Sequence, residues 1–158
     1  MSTSYELIFD KFIKKLKNDK EFLNYTGLTD TDITTLVKDH CIDLLNQAID
    51  KIYEFGNPDI NFYDKDDTTE IFNIDLISQE ISLLVNLMYQ CYLEEDKNKM
   101  HFYELEFTSS ELNLFSPASN RTSYLKMIEN IEINNSESIN NYLGRDRKTW
   151  LPKSIYKK

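Results

Sequence analysis

The chain has 158 residues, 41 % hydrophobic and 28 % charged, with 18 Lys and Arg against 27 Asp and Glu for a formal charge of −9. That length holds one domain, with or without a tail, and the composition is globular rather than disordered. The acidic balance disfavours general nucleic-acid coating, no run of 18 apolar residues offers a membrane span, and Met1-Ser-Thr-Ser-Tyr5-Glu6 is no secretory signal.

In chain order, Tyr5, Ile8, Phe9, Phe12, Ile13 and Leu16 repeat at helical spacing, with Lys11, Lys14, Lys15 and Lys17 opposite, and predict a first helix. Phe22, Leu23 and Tyr25 lead through Gly27 to a second start, where Thr29 or Asp30 can cap and Asp32 suits the positive end of the helix dipole. Ile33, Leu36, Val37, Cys41, Leu44, Leu45, Ala48, Ile52 and Phe55 then hold one face as far as Gly56, placed as a C′ glycine. The expected result is a central rod of about 39 Å.

Between Pro58 and Asp75 the period changes. Ile60, Asn61, Phe62 and Tyr63, then Glu70, Ile71, Phe72, Asn73 and Ile74, flank Asp64-Lys65-Asp66-Asp67 and predict a small β-hairpin or extended insertion over about residues 60–74. Ile77, Ile81, Leu84, Val85, Met88 and Tyr92, with Cys91 beside them, mark a third helix expected to fray at Glu94-Glu95-Asp96-Lys97-Asn98-Lys99. Phe102, Tyr103, Leu105 and Phe107 read as a strand or an anchored loop. Ser116-Pro117 is a helix start, Ser as N-cap and Pro at N1. The fourth helix carries Tyr124, Leu125, Ile128 and Ile131. It either continues through Ile139, Tyr142 and Leu143 to Gly144 or breaks at Asn134-Asn135-Ser136, whose side chains compete for backbone hydrogen bonds. The fold class is therefore mainly α: a four-helix domain over residues 1–144 with a hairpin insertion at 58–75, followed by an extended C-terminal tail.

After Gly144 the chemistry changes. Arg145, Arg147, Lys148, Lys153, Lys157 and Lys158 against the lone Asp146 give residues 145–158 a net charge of +5 and leave −14 on residues 1–144. Trp150, Leu151, Ile155 and Tyr156 are interleaved with these cations, and Pro152 prevents a simple helix. The plain alternative is a solvated chain end. The placement of the only tryptophan there favours a docking arm, because such residues anchor interfaces.

Other chemistry is weakly supported. Two cysteines fifty residues apart are no disulfide framework, and the expected setting is a soluble protein in a reducing compartment. Adjacent His40 and Cys41 diverge on a helix, so zinc binding with Cys91 and His101 is disfavoured against core cysteines and surface histidines. Asp64-x-Asp66-x-Thr68 opens like a calcium loop but places Thr69 where the sharp turn needs Gly and Asp75 where a bidentate Glu is usual. Ser109, Ser110 and Ser116 follow His101 without nucleophile-elbow glycines. No glycine-rich phosphate loop occurs. The chain reads as a non-enzyme, with no cofactor, metal or catalytic residue expected.

Three stretches then stand in a telling order. The first is the opening helix with Phe22-Leu23-Asn24-Tyr25 and the later Asp43-Leu44-Leu45-Asn46-Gln47-Ala48-Ile49. The second is Asp75-Leu76-Ile77-Ser78-Gln79-Glu80-Ile81 running into Leu84, Leu87 and Met88. The third runs from Phe107-Thr108-Ser109-Ser110-Glu111-Leu112 to Phe115-Ser116-Pro117-Ala118-Ser119-Asn120-Arg121, then Leu125. In this layout the chain resembles the head–tail connector (adaptor, or neck) proteins of tailed bacteriophages infecting low-GC Gram-positive hosts. The resemblance implies a virion ring, commonly of twelve subunits, assembled in the host cytoplasm. Such a ring docks beneath the portal protein, extends the DNA channel and offers a platform to the next neck or tail component. It implies no catalysis, and no catalytic set is carried over.

An acidic body suits a channel that DNA passes without sequence-specific binding, since like charges repel phosphate. Within that frame, Arg145, Arg147, Lys148, Trp150, Leu151, Lys153, Ile155 and Tyr156 are expected to contact the portal. Ile60, Phe62, Tyr63, Ile71 and Phe72 are expected at a contact between subunits or with the next ring. The alternative is a cytosolic helical interaction or regulatory protein that captures an acidic partner through its basic tail.

Overall fold

A computed structural model describes residues 2–16, 30–106 and 118–153. Among them are four helices and a small three-stranded antiparallel sheet, the mainly α architecture with a β insertion that the pattern predicts.

Helix α1, Tyr5–Lys15, starts at Ser4, whose Oγ accepts from the Glu6 backbone N–H at 3.2 Å, and ends with Lys14 and Lys15 at its negative pole. Of the predicted stripe it buries Tyr5, Ile8, Phe9 and Phe12, with Leu16 buried just past its end and Ile13 half-buried. Helix α2, Asp30–Phe55, has 26 residues, so the predicted length of about 39 Å holds. Its expected cap at Thr29 lies outside the described residues. Val37, Cys41, Leu44, Leu45, Ala48, Ile49 and Ile52 are buried, whereas Leu36 and Phe55, assigned to the same stripe, are exposed. Gly56 does follow the last turn, at a positive φ of 157° that residues with a side chain rarely adopt.

The insertion forms a hairpin in a different register from the one expected. Strand β2 is Lys65–Asp66, inside the run taken for the turn, and β3 is Ile71–Phe72. The reason is local hydrogen bonding. Asp66 Oδ1 accepts from the Thr68 and Thr69 backbone N–H groups and so moves the turn to 66–70, where Glu70 takes φ 57°. Residues 60–63 form no strand, and Asn61 to Asp64 make a turn closed by the Asp64 N–H donating to Asn61 O. There the Phe62 N–H donates to the Tyr53 hydroxyl, which itself donates to Asn61 Oδ1. A third strand that the pattern did not reveal, β1 at Thr3–Ser4, pairs antiparallel with β3, putting Thr3 opposite Phe72 and Ser4 opposite Ile71. The order β1-β3-β2 therefore leaves β3 without a free edge.

Helix α3, Ser78–Glu106, runs 29 residues, about 44 Å, straight through the segment expected to fray and through the Phe102 to Leu105 stretch read as a strand or loop. The acidic run holds because its charges find partners. His40 Nε2 lies 3.0 Å from Glu95, Lys51 Nζ 3.0 Å from Glu94, and Lys99 Nζ 3.4 Å from Asp96, while Lys97 reaches Glu132 of the next helix. Helix α4, Ala118–Leu143, is continuous through Asn134-Asn135-Ser136. Asn135 is buried and donates through Nδ2 to Asn86 O and Gln90 Oε1 of α3, while Ser136 and Ser138 bond back one turn. The start signal at Ser116-Pro117 lies outside the described residues.

The central element is α3 rather than α2. It packs against α1, α2 and α4, and from Leu83 to Leu93 it buries Leu83, Leu84, Val85, Leu87, Met88, Cys91, Tyr92 and Leu93. Apolar residues on nearly every side mark a helix surrounded by others. The core is one cluster that includes α1 to α4 together with Phe62 and Phe72. Among the described residues, no helix is long and apolar enough to cross a membrane.

Candidate functional site

The charge pattern directs attention to residues 145–158, and the structure places 145–153 against the body as a closed turn. Arg145 and Pro152 form an antiparallel bridge, and the Lys153 N–H donates to Gly144 O at 2.8 Å. The Asp146 N–H donates to Leu151 O, and the Trp150 N–H donates to Asp146 O. Asp146 also organises the tip: its Oδ1 accepts from the backbone N–H groups of Lys148 and Thr149 and from the Thr149 hydroxyl. These bonds, that from the Thr149 N–H foremost, hold the Asp146 carboxyl below the usual carboxylate range. Residues 145–153 are non-helical, in keeping with Pro152, but they double back rather than reaching away.

Arg147 fastens the turn. Its Nε donates to Glu80 Oε1 at 2.6 Å and its Nη2 to Glu80 Oε2 at 3.0 Å, a two-point guanidinium–carboxylate pair. Glu80 is wholly buried at the start of α3, where a carboxylate at the third helical position can reach back to the first free N–H. It does so, accepting from Ile77 N at 2.8 Å, and it accepts from the Tyr142 hydroxyl of α4 at 3.0 Å. One carboxylate thereby joins the C-terminal turn, α3 and α4. Burial, then the Glu80 charge, pushes the Tyr142 phenol well above its usual range, and the hydrogen bonds from Arg147 to Glu80 raise the guanidinium further. Asp59 adds a second anchor: it accepts from the Arg147 backbone N–H at 3.2 Å and pairs with Lys153 at 2.8 Å.

Trp150 sits at φ 59°, an unusual conformation for a bulky residue, with a penalty of about 1–3 kcal/mol. Its carbonyl accepts from Arg145 Nη1, and its ring packs against the core with the Arg145 guanidinium 5.9 Å from its centroid. The indole also walls a groove of about 510 Å³ between α3 and α4, whose other sides include Ser82, Asn86 and Ser138.

The sequence-derived docking set is thus divided. Arg145, Arg147, Trp150 and Lys153 are engaged by the chain itself, Lys148 and Leu151 are exposed, and Ile155 and Tyr156 lie outside the described residues. The hairpin set divides as well. Phe62 and Phe72 are fully buried in their own subunit's core, so they are not available to a neighbour; Tyr63 is half-exposed, and Ile60 and Ile71 are partly buried. Sequence reasoning missed Glu80, Asp59 and Asn135. Glu80 had a legible sign, an acid set among Leu76, Ile77, Ile81, Leu83 and Leu84. Asp59 and Asn135 had none, because their partners are far away in sequence.

Cys41, Cys91, Asp64 and Asp66 have structural roles. Burial pushes the Cys41 and Cys91 thiols up to about 12. Asp64 Oδ1 accepts from Asn73 Nδ2, and Asp66 holds its turn. Among the described residues, no three His, Cys, Asp or Glu side chains are placed to share a metal ion. Ser109, Ser110 and Ser116 lie outside the described residues. Comparison with known protein families, with curated proteins and with solved structures found no match.

Proposed function

We propose that this chain is a structural assembly subunit, specifically a head–tail connector of a tailed bacteriophage. In this reading, copies form a ring of about twelve in the virion neck. The ring docks on the portal protein, lengthens the channel through which DNA passes and receives the next neck or tail component. The observation that carries the reading is the division of charge along one chain: −14 on residues 1–144 against +5 on residues 145–158. The negative body discourages adhesion of passing DNA, and the positive end suits an acidic protein partner. The ordered likeness of the three sequence stretches supplies the family. Long, continuous α2, α3 and α4 provide a stiff wedge of the kind a ring subunit needs.

The test is immunogold electron microscopy of purified particles, paired with mass measurement of the protein in solution. Label at the neck supports the reading. A stable small complex with an acidic host protein, together with unlabelled particles, replaces it with the cytosolic interaction protein.

A further inference from the structure

The C-terminal turn sorts its side chains into two groups. Arg145, Arg147, Trp150 and Lys153 are held by the body or by the turn itself. Lys148 and Leu151 are exposed, and at 65 % Leu151 is the most exposed large apolar side chain among the described residues. Much of the local structure serves to hold that arrangement. A buried carboxylate receives Arg147, Asp146 gathers three donors at the tip, and Trp150 accepts a left-handed backbone. The bridge from Arg145 to Pro152 closes the base, and Leu151 lies immediately inside it. Ordering a loop before binding removes an entropic cost from the binding step.

We propose that Lys148 and Leu151 are the contact point of a preorganised docking tip and that Arg147 is its positioning residue. The fitting partner surface carries a small apolar pocket rimmed by carboxylates, taking Leu151 in the pocket and the Lys148 ammonium at the rim. Trp150, expected from the sequence to be the anchor, acts inside the turn. The inference rests on the connector reading above and names which residues of the docking segment touch the partner and which aim it.

Leu151→Ser and Lys148→Glu, each in the full-length chain, test the tip. Neither side chain makes a hydrogen bond within the turn, whose bonds at these positions run through the backbone. Binding is read against portal-containing heads of the same virus that lack this protein. Both variants are expected to weaken binding tenfold or more, with the melting temperature and the emission of the sole tryptophan unchanged. Arg147→Ala weakens binding and also shifts that emission. The paired change Glu80→Gln with Arg147→Met removes both charges of the pair, so stability returns towards the parent value while binding stays weak. If binding recovers along with stability, Arg147 is structural only and its positioning role is overturned. Should Leu151→Ser bind as the parent does, the tip assignment fails and the connector reading stands. If the unmodified chain does not bind heads at all, the connector reading fails and the tip falls with it.

Discussion

Replacing Arg147 by alanine removes the one cation that, among the described residues, pairs with the fully buried Glu80 carboxylate. Breaking a buried pair from one side costs about 3–5 kcal/mol, because the remaining charge is left without water or partner. Two details place this site near the lower end. The Arg147 side chain is 25 % exposed, so water can enter the space it leaves. Glu80 also keeps two donors, Ile77 N–H and the Tyr142 hydroxyl. The expected loss is about 3 kcal/mol, a fall in melting temperature of about 6–12 °C at some 2–4 °C per kcal/mol for a chain of this size. Urea denaturation at neutral pH should be followed by helix circular dichroism and by tryptophan emission. Trp150 is the only tryptophan, and its packing depends on the turn, so its signal moves at or before the helix signal. Glu80→Gln added to Arg147→Ala keeps an acceptor without the charge and should recover most of the loss. A destabilisation below about 0.5 kcal/mol, with unchanged emission, would refute the view that this pair fastens the C-terminal turn.

Three further outcomes follow from the same geometry. Asn135→Ala strands Oε1 of the buried Gln90 and takes the second donor from the Asn86 carbonyl, which keeps its bond within α3, and should cost about 2 kcal/mol by urea midpoint; a loss no larger than that of an exposed alanine substitution would contradict it. The Asp66 carboxyl, through its Thr69 side-chain bond and then the Thr68 N–H, and the Asp146 carboxyl, through the Thr149 N–H, are both held below their ordinary value. A depressed folded pKa contributes stability that is complete above the unfolded value and lost as pH falls through the folded one, so these turns weaken from about pH 4 downward. Asp66→Asn and Asp146→Asn should each flatten the fall of melting temperature on acidification, and an unchanged slope counts against the assignment. Cys41 and Cys91, buried with thiols near 12, should react with a thiol reagent only at the rate of unfolding; rapid labelling of both in the native protein would overturn this.

The helices were legible to different degrees for identifiable reasons. The stripes of α1 and α2 repeat at 3.6-residue spacing over a polar background, and both helices occur where that pattern runs. The end of α3 was not legible, because Glu94 and Glu95 look like a fraying end until Lys51 and His40 of α2 are seen opposite them. The hairpin's existence could be read from its β-favouring residues, but not its register. That is set by the Asp66 carboxylate and by Thr3 and Ser4, which pair with Phe72 and Ile71 from far away along the chain. In the same way, the basic, aromatic composition of the C-terminal segment was plain. That Arg147 faces inward and Leu151 outward was not.

What the sequence determined by itself are properties summed over neighbours in the chain: helical periodicity, the acidic body with its basic end, and the confinement of β structure to one insertion. Helical hydrogen bonds close within four residues, so the information needed to place them is local. Only the tertiary structure decided that α3 is central, that Thr3–Ser4 completes a sheet, and that Arg147 meets Glu80 across 67 positions. Each of these depends on which groups share a buried space once the chain has folded. An unpaired charge is excluded from that space more strongly than any local preference can resist.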